Sequence, residues 1–338
     1  MSTPLAEDVT QQLRRLVQTG RFGDALARYQ RIEATPDGRR PEAQLLAATA
    51  ATRVGELALG ESMVADALER FRSRGDADGR LRALNLLGVV SWERGRMREA
   101  EEYLAQALNL ARYLGDSLMV ARACNNMASA IHLRGRADEA VGLYRGALLA
   151  YQRLGDRRGT AETYHNLGLI YRQLGLWREA EDAVHEAVRH AEMVGEKGLL
   201  ALVLVGRAEL RVDQGELPLA YPDLDRAGAL AAGASDEIGG AEVRRVRALA
   251  ALKAAEFERA LADAEAASRI ARAYDSALLG AECAALAALA LRALHRQPDA
   301  EARRHEADEG FRALGALTLQ RRFEADWNAA APASKSQG

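Results

Sequence analysis

Few residues in this chain combine the type and the spacing that chemistry needs. The string HEAVRH holds His185, Glu186 and His190. A helical zinc pair needs histidines at i and i+4, on one face; these two are five apart and face different directions. His305-Glu306 has no second histidine at a ligating distance. Cys124 falls on a helical face with Met127, Ala128 and Ile131, which predicts a buried structural thiol. Only Cys283 joins it, and two cysteines are too few for a disulfide scaffold or a Cys-rich zinc site. The acid pairs Glu101-Glu102 and Glu181-Asp182 read as solvated helix faces. There is no GxxxxGK[ST] loop and no strand-GxGxxG-helix unit. The sequence therefore predicts no catalytic residue, no cofactor site and no metal site, and an enzyme is not expected.

Composition narrows the class further. In 338 residues, 46 Lys and Arg oppose 48 Asp and Glu, for a net charge of -2. A general nucleic-acid binder is usually clearly basic, so direct nucleic-acid binding is not expected. Apolar residues make up 49%, enough for a stable core. No stretch is long and apolar enough for a membrane span, and the N-terminus lacks a secretory pattern. The expectation is a cytoplasmic protein without membrane insertion. Three lysines among the basic residues suggest a GC-rich, bacterial genome.

The elements that position these residues repeat every 40 residues. The segments starting at Leu84, Cys124 and Tyr164 align without gaps. One small residue recurs at Ala25, Gly60, Ala100, Ala140, Ala180, Ala220, Ala260 and Ala300, and a second seven residues later, from Ala67 to Ala307. Gly recurs at 20, 55, 95, 135, 175 and 215, then becomes Ala255 and His295. Each repeat reads as two helices. Tyr164, Leu167, Gly168 and Tyr171 share one face of the first, and Ala180, Val184, Ala187 and Val188 one face of the second. Gly175 stops the first helix and Gly195 the second. Asp76, Asp116, Asp156 and Glu196 follow such stops and are placed to cap the next helix. Small columns let antiparallel helices approach beside larger residues such as Leu104, Tyr144 and Leu224. No sustained period-2 pattern suggests strands.

The pattern Leu167-Gly168-x-x-Tyr171, Gly175, Ala180 and Ala187 resembles the tetratricopeptide-repeat signature. The 40-residue spacing with LGD between repeats is similar to the long-repeat subgroup. That subgroup includes Pins-like adaptors, kinesin light chains and the sensor regions of MalT-like regulators. The resemblance implies an all-α, right-handed solenoid of about eight helix-turn-helix repeats. Their expected bounds are 6–40, 41–80, 81–120, 121–160, 161–200, 201–240, 241–280 and 281–320, in one superhelix over 1–330. Residues 316–329 read as a capping helix, with Leu317, Phe323 and Trp327 covering the last open face, and 331–338 as a disordered tail. Trp177 is expected at a repeat contact. Pro222 should shorten or kink the first turns of its helix. Loss of the inner glycine in the last two repeats predicts closer or longer helices there.

In this family the outward stripe of each first helix usually lines a concave face. The third repeat presents Arg82, Asn85, Val89, Trp92 and Glu93 there. The fourth presents Arg122, Asn125, Asn126, Ser129, His132 and Leu133; the fifth, Glu162, His165, Asn166, Leu169, Arg172 and Gln173. Such amides and guanidiniums suit the main chain of a bound peptide, and Trp92 suits an apolar anchor. Asn126 and Asn166 resemble the asparagine ladder of peptide-binding members, although the two-carboxylate clamp is incomplete. The same stripe would also serve as an ordinary solvated face. In later repeats it turns apolar: Leu202, Val205, Glu209 and Val212, then Val246, Leu249 and Leu252, then Leu286 and Leu289. That strip is either a second binding site or core. The expected function is a non-catalytic adaptor holding a protein or peptide partner. The alternative is a bacterial ligand- or peptide-sensing module acting on a separate effector chain.

Overall fold

A computed structural model describes residues 8–234 and 236–329. These form 17 α-helices and, among the described residues, no strand. The chain divides into two compact units, residues 1–127 and 128–338. The first holds α1 (Val9–Gln18), α2 (Phe22–Gln30), α3 (Pro41–Arg53), α4 (Leu57–Ser73), α5 (Ala77–Glu93), α6 (Met97–Leu114) and most of α7 (Ser117–Leu133). The second holds the end of α7, α8 (Ala137–Leu154), α9 (Arg157–Gln173), α10 (Trp177–Val194), α11 (Lys197–Asp213) and α12 (Leu217–Ala232). It continues with α13 (Glu237–Lys253), α14 (Phe257–Ala273), α15 (Ala277–Ala293), α16 (Gln297–Leu314) and α17 (Leu317–Ala329). First helices from α5 onward start 40 residues apart, one turn before the bounds drawn from sequence. The tail 331–338 lies outside the described residues.

Local chemistry sets the helix ends. The carboxylates of Asp76, Asp116, Asp156 and Asp236 accept from the N–H three residues on, at 2.8 to 3.0 Å. Glu196 does not cap: its longer side chain instead accepts from Arg158 Nη1 at 2.8 Å. The inner glycines all carry positive φ, from +71° at Gly175 to +85° at Gly55. The last two repeats keep this left-handed turn without glycine, at Ala255 and His295 (both φ 59°). Of the two alternatives, the longer helices are not found: α13 and α15 match α9 and α11 at 17 residues each. The packing geometry imposes the turn and the side chain tolerates it. Likewise α12 runs through Pro222, at 16 residues against 18 for α10.

The Ala columns are fully buried at the helix crossings, including Ala100, Ala140, Ala180, Ala220, Ala260 and Ala300. Glycines mark the tightest approaches. A β-carbon on Gly88 would stand 2.4 Å from Leu104 Cγ, and one on Gly206 would stand 2.6 Å from the His165 ring. The apolar strip of the later repeats is mainly core: Val205, Val212, Val246 and Leu286 are buried, while Leu202 is exposed. Two tryptophan and leucine expectations fail. Trp177 opens α10 and is 44% exposed, and Leu317 opens α17 and is 43% exposed. Phe323 and Trp327 are buried as expected.

Gly88→Ala should destabilise the first unit by about 1–3 kcal/mol, because the Leu104 side chain must shift. His295→Gly should raise stability by about 0.5–1 kcal/mol through relief of the left-handed turn. Thermal and urea unfolding monitored by circular dichroism check both signs.

Candidate binding face of the first helices

In the first unit, the outward stripe of α5 and α7 brings Asn85 and Asn126 together. Asn126 Nδ2 donates to Asn85 Oδ1 at 3.3 Å. Arg82 and Arg122 are exposed, and Arg82 is steadied by Asp78 at 2.9 Å. Trp92 is half-buried, and its indole N–H meets no acceptor among the described residues. Asn125 is buried, so it does not share the accessible stripe.

In the second unit, several stripe residues turn inward. His165 is buried, with its ring in the gap left by Gly206 on α11. His132 Nε2 meets Gln173 Oε1 at 2.5 Å, and Ser129 Oγ meets the Tyr144 hydroxyl at 2.9 Å. Glu162 accepts from Arg158 at 3.0 Å, and Asn166 is partly exposed. Arg172 is buried and binds two carboxylates of α11, Asp213 at 2.6 Å and Glu209 at 3.1 Å. The contacts Asn85–Asn126, His132–Gln173 and Arg172–Asp213 all join residues 41 apart. Each links one first helix to the next, one position further along.

Arg172 belongs to a larger charged cluster that residue-by-residue reading misses. Arg245 on α13 grips Glu209 through both terminal nitrogens, at 3.2 and 3.0 Å. It also reaches Glu242 at 2.8 Å and Glu282 on α15 at 3.5 Å. Arg322 on α17 closes on Asp213 at 2.7 Å. Glu242, Glu282 and Arg322 fall in the same repeat column as Arg82, Arg122 and Glu162. The column was visible in sequence, but its pairing across helices was not.

Burial and charge compete in this cluster. Burial pushes Glu209 up, but Arg172 and Arg245 outweigh it and hold the carboxyl well below its ordinary value. Burial opposes the Arg245 charge, yet Glu209, Glu282 and Glu242 raise its pKa. Glu282 is pushed up to about 7 by burial, with Glu242 and Glu209 adding to the rise against Arg245. Burial lowers His165 to about 4 and also lowers His132. Burial raises both thiols, Cys124 and Cys283, so neither is poised as a nucleophile. In HEAVRH, His190 stacks on Tyr164 at 6.0 Å between centroids and Glu186 pairs with Arg189. Among the described residues, no group of three or more side chains could hold a metal ion. No described helix is long and apolar enough to cross a membrane.

A family model described as tetratricopeptide repeat matches residues 40–112 and 119–193, across both units. The matched residues are tetratricopeptide repeats, and similar helix pairs continue beyond them. No curated protein matches it in sequence. Among solved structures, the repeats are similar to a Rap protein complexed with Competence and Sporulation Factor. The identity is 13% and the TM-score 0.69, covering 94% of this chain and 98% of that one. The Rap conjugation gene regulator of plasmid pLS20, in complex with the Phr* peptide, gives 12% and 0.67, covering 96% and 97%. NprR in complex with its cognate peptide NprX gives 14% and 0.62, covering 97% and 98%. At these identities the likeness is one of fold. A shared fold does not fix what each chain recognises.

Two outcomes follow from the geometry. Arg172→Met should cost about 3–5 kcal/mol, because Glu209 and Asp213 lose a buried partner. Arg122→Ala should stay within about 0.5 kcal/mol of wild type. Denaturant unfolding of both variants separates internal from accessible stripe residues.

The pH dependence has opposing parts. His165, at about 4 when folded against 6.5, gives stability that is present above pH 6.5 and lost as pH falls toward 4. His132, also lowered, has the same sign. Glu282, at about 7 against 4.5, gives stability that is present below pH 4.5 and lost as pH rises through 7. Between these limits the glutamate offsets one histidine. Glu282→Gln should therefore steepen the fall of stability on acidification from pH 6.5 to 4.5 by one proton, about 1.4 kcal/mol per pH unit. Urea midpoints across that range give the slope, and an unchanged slope would refute the assignment.

Proposed function

We propose that the chain is a non-catalytic interaction module that holds a peptide or helix of a partner protein on the α5–α7 face of its first unit. The observation that carries this reading is the joined amide pair Asn85–Asn126 on an accessible stripe flanked by Arg82 and Arg122. A peptide main chain offers N–H and C=O groups along its length. After their mutual bond, the two amides keep donors and acceptors that suit it. The guanidiniums suit a carboxylate or a carbonyl, and Trp92 suits an apolar side chain. Complexes in three proteins of similar fold, two of them with a peptide, support the reading. The proposed setting is the cytoplasm. A second reading, a sensing module that acts on a separate effector chain, draws support from the name of one of those three, a conjugation gene regulator.

A display library of random peptides tests the site. Selected peptides should bind wild type and bind the variant Trp92→Ala/Arg122→Ala/Asn126→Ala about 30-fold more weakly, a loss of about 2 kcal/mol. The variant should melt near wild type. Equal binding by both, or no selectable peptide, would refute this face as the site.

A further inference from the structure

The contacts of α17 divide into two kinds. Its C-terminal half is anchored by apolar and ring contacts. Phe323 packs on Phe311 at 6.2 Å, Arg292 lies 4.2 Å from the Trp327 ring centroid, and Arg292 Nη1 donates to the Trp327 carbonyl at 2.7 Å. Its N-terminal half reaches far back along the second unit through thin polar contacts. The Thr318 hydroxyl donates to the His132 carbonyl at 3.5 Å, 186 residues away. Arg322 binds Asp213 at 2.7 Å, 109 residues away. A plain end-cap needs only the first kind of contact.

The charge count gives the second kind a meaning. With Arg322 in place, three guanidiniums (Arg172, Arg245, Arg322) meet three carboxylates (Glu209, Asp213, Glu242) and Glu282, whose carboxyl burial pushes up to about 7. Without Arg322, two guanidiniums remain against those three carboxylates. Asp213 is one-tenth exposed and would lose its outer partner, whereas Arg322 is about one-third exposed. A carboxylate this buried strongly favours a bound cation. Anionic and neutral groups are the wrong chemistry for the place.

We propose that Asp213, backed by Arg172 and Glu209, is a docking site for a basic residue of a partner peptide, and that Arg322 of α17 occupies it as an internal stand-in. Opening this clasp breaks one partly exposed ion pair and one long hydroxyl bond, while the Phe323–Trp327 anchor stays with α15 and α16. The partner then competes with the chain's own arginine. Its apparent affinity is set by how often the clasp is open. The proposal does not depend on the α5–α7 reading.

The full chain itself provides a lock. A β-carbon on Gly135 would lie 3.9 Å from that of Leu317, close to the about 3.8 Å typical of disulfides. The probe is a fluorescein-labelled peptide copying residues 315–329, with a control peptide carrying Glu in place of the residue copied from Arg322. Fluorescence anisotropy should show the probe binding full-length Arg322→Ala about tenfold more tightly than wild type. The control peptide should bind neither. Oxidised Gly135→Cys/Leu317→Cys protein should exclude the probe, and reduction should restore wild-type binding. Equal affinity for wild type and a folded Arg322→Ala variant would overturn the stand-in. Undiminished binding of the control peptide would overturn the cation site. Equal binding by the oxidised and reduced cysteine pair would overturn the closure, and this arm stands even if Arg322→Ala fails to fold.

Discussion

Close helix approach is the constraint on which the rest depends. Ala and Gly columns let backbones meet at every crossing, so side chains on neighbouring first helices come within bonding distance of one another. A buried polar group there without a partner costs roughly 1–3 kcal/mol. The buried His132 and Arg172 find theirs across the helix boundary, in Gln173 and Asp213, and the more accessible Asn85 and Asn126 join in the same way. The same closeness explains His165. Its ring enters the space that Gly206 leaves open, and burial then keeps the imidazole neutral.

This constraint separates what the sequence made legible from what it did not. The period, the helix pairs, the glycine turns and the aspartate caps are local, so they could be read from residue types and spacing. Glu196 misled because it sits where its neighbours cap, yet one methylene carries its carboxylate to Arg158. Ala255 and His295 misled because a turn imposed by packing outlasts the glycine that usually makes it easy. Trp177 misled because its repeat column does not fix burial: Leu57 and Met97 open the equivalent helices and are buried, whereas Trp177 is exposed.

The stripe was legible as a stripe but not as two kinds of surface. The column Arg82, Arg122, Glu162, Leu202, Glu242, Glu282 and Arg322 is charged at all but one position. Burial divides it. Arg82 and Arg122 face solvent, whereas Glu242 and Glu282 close around a buried Arg245. The buried arginines Arg172 and Arg245 find carboxylates 36 to 41 residues away on neighbouring first helices. A sequence read one repeat at a time does not compare those positions.

The α17 contacts carry this logic across several repeats at once. A ninth first helix in register would, on local rules alone, simply end the stack. Arg322 instead meets Asp213, three repeats earlier, because first helices that turn steadily bring distant inner positions together. Buried ion pairs add little net stability compared with apolar packing, but breaking one is expensive. A cluster left short of one cation is therefore better suited to choosing a partner than to holding the fold. The apolar contacts at Phe323 and Trp327 suffice to end the stack. Arg322 adds a charge requirement that an end-cap does not need. That excess over structural need is what marks Asp213 as a place for exchange.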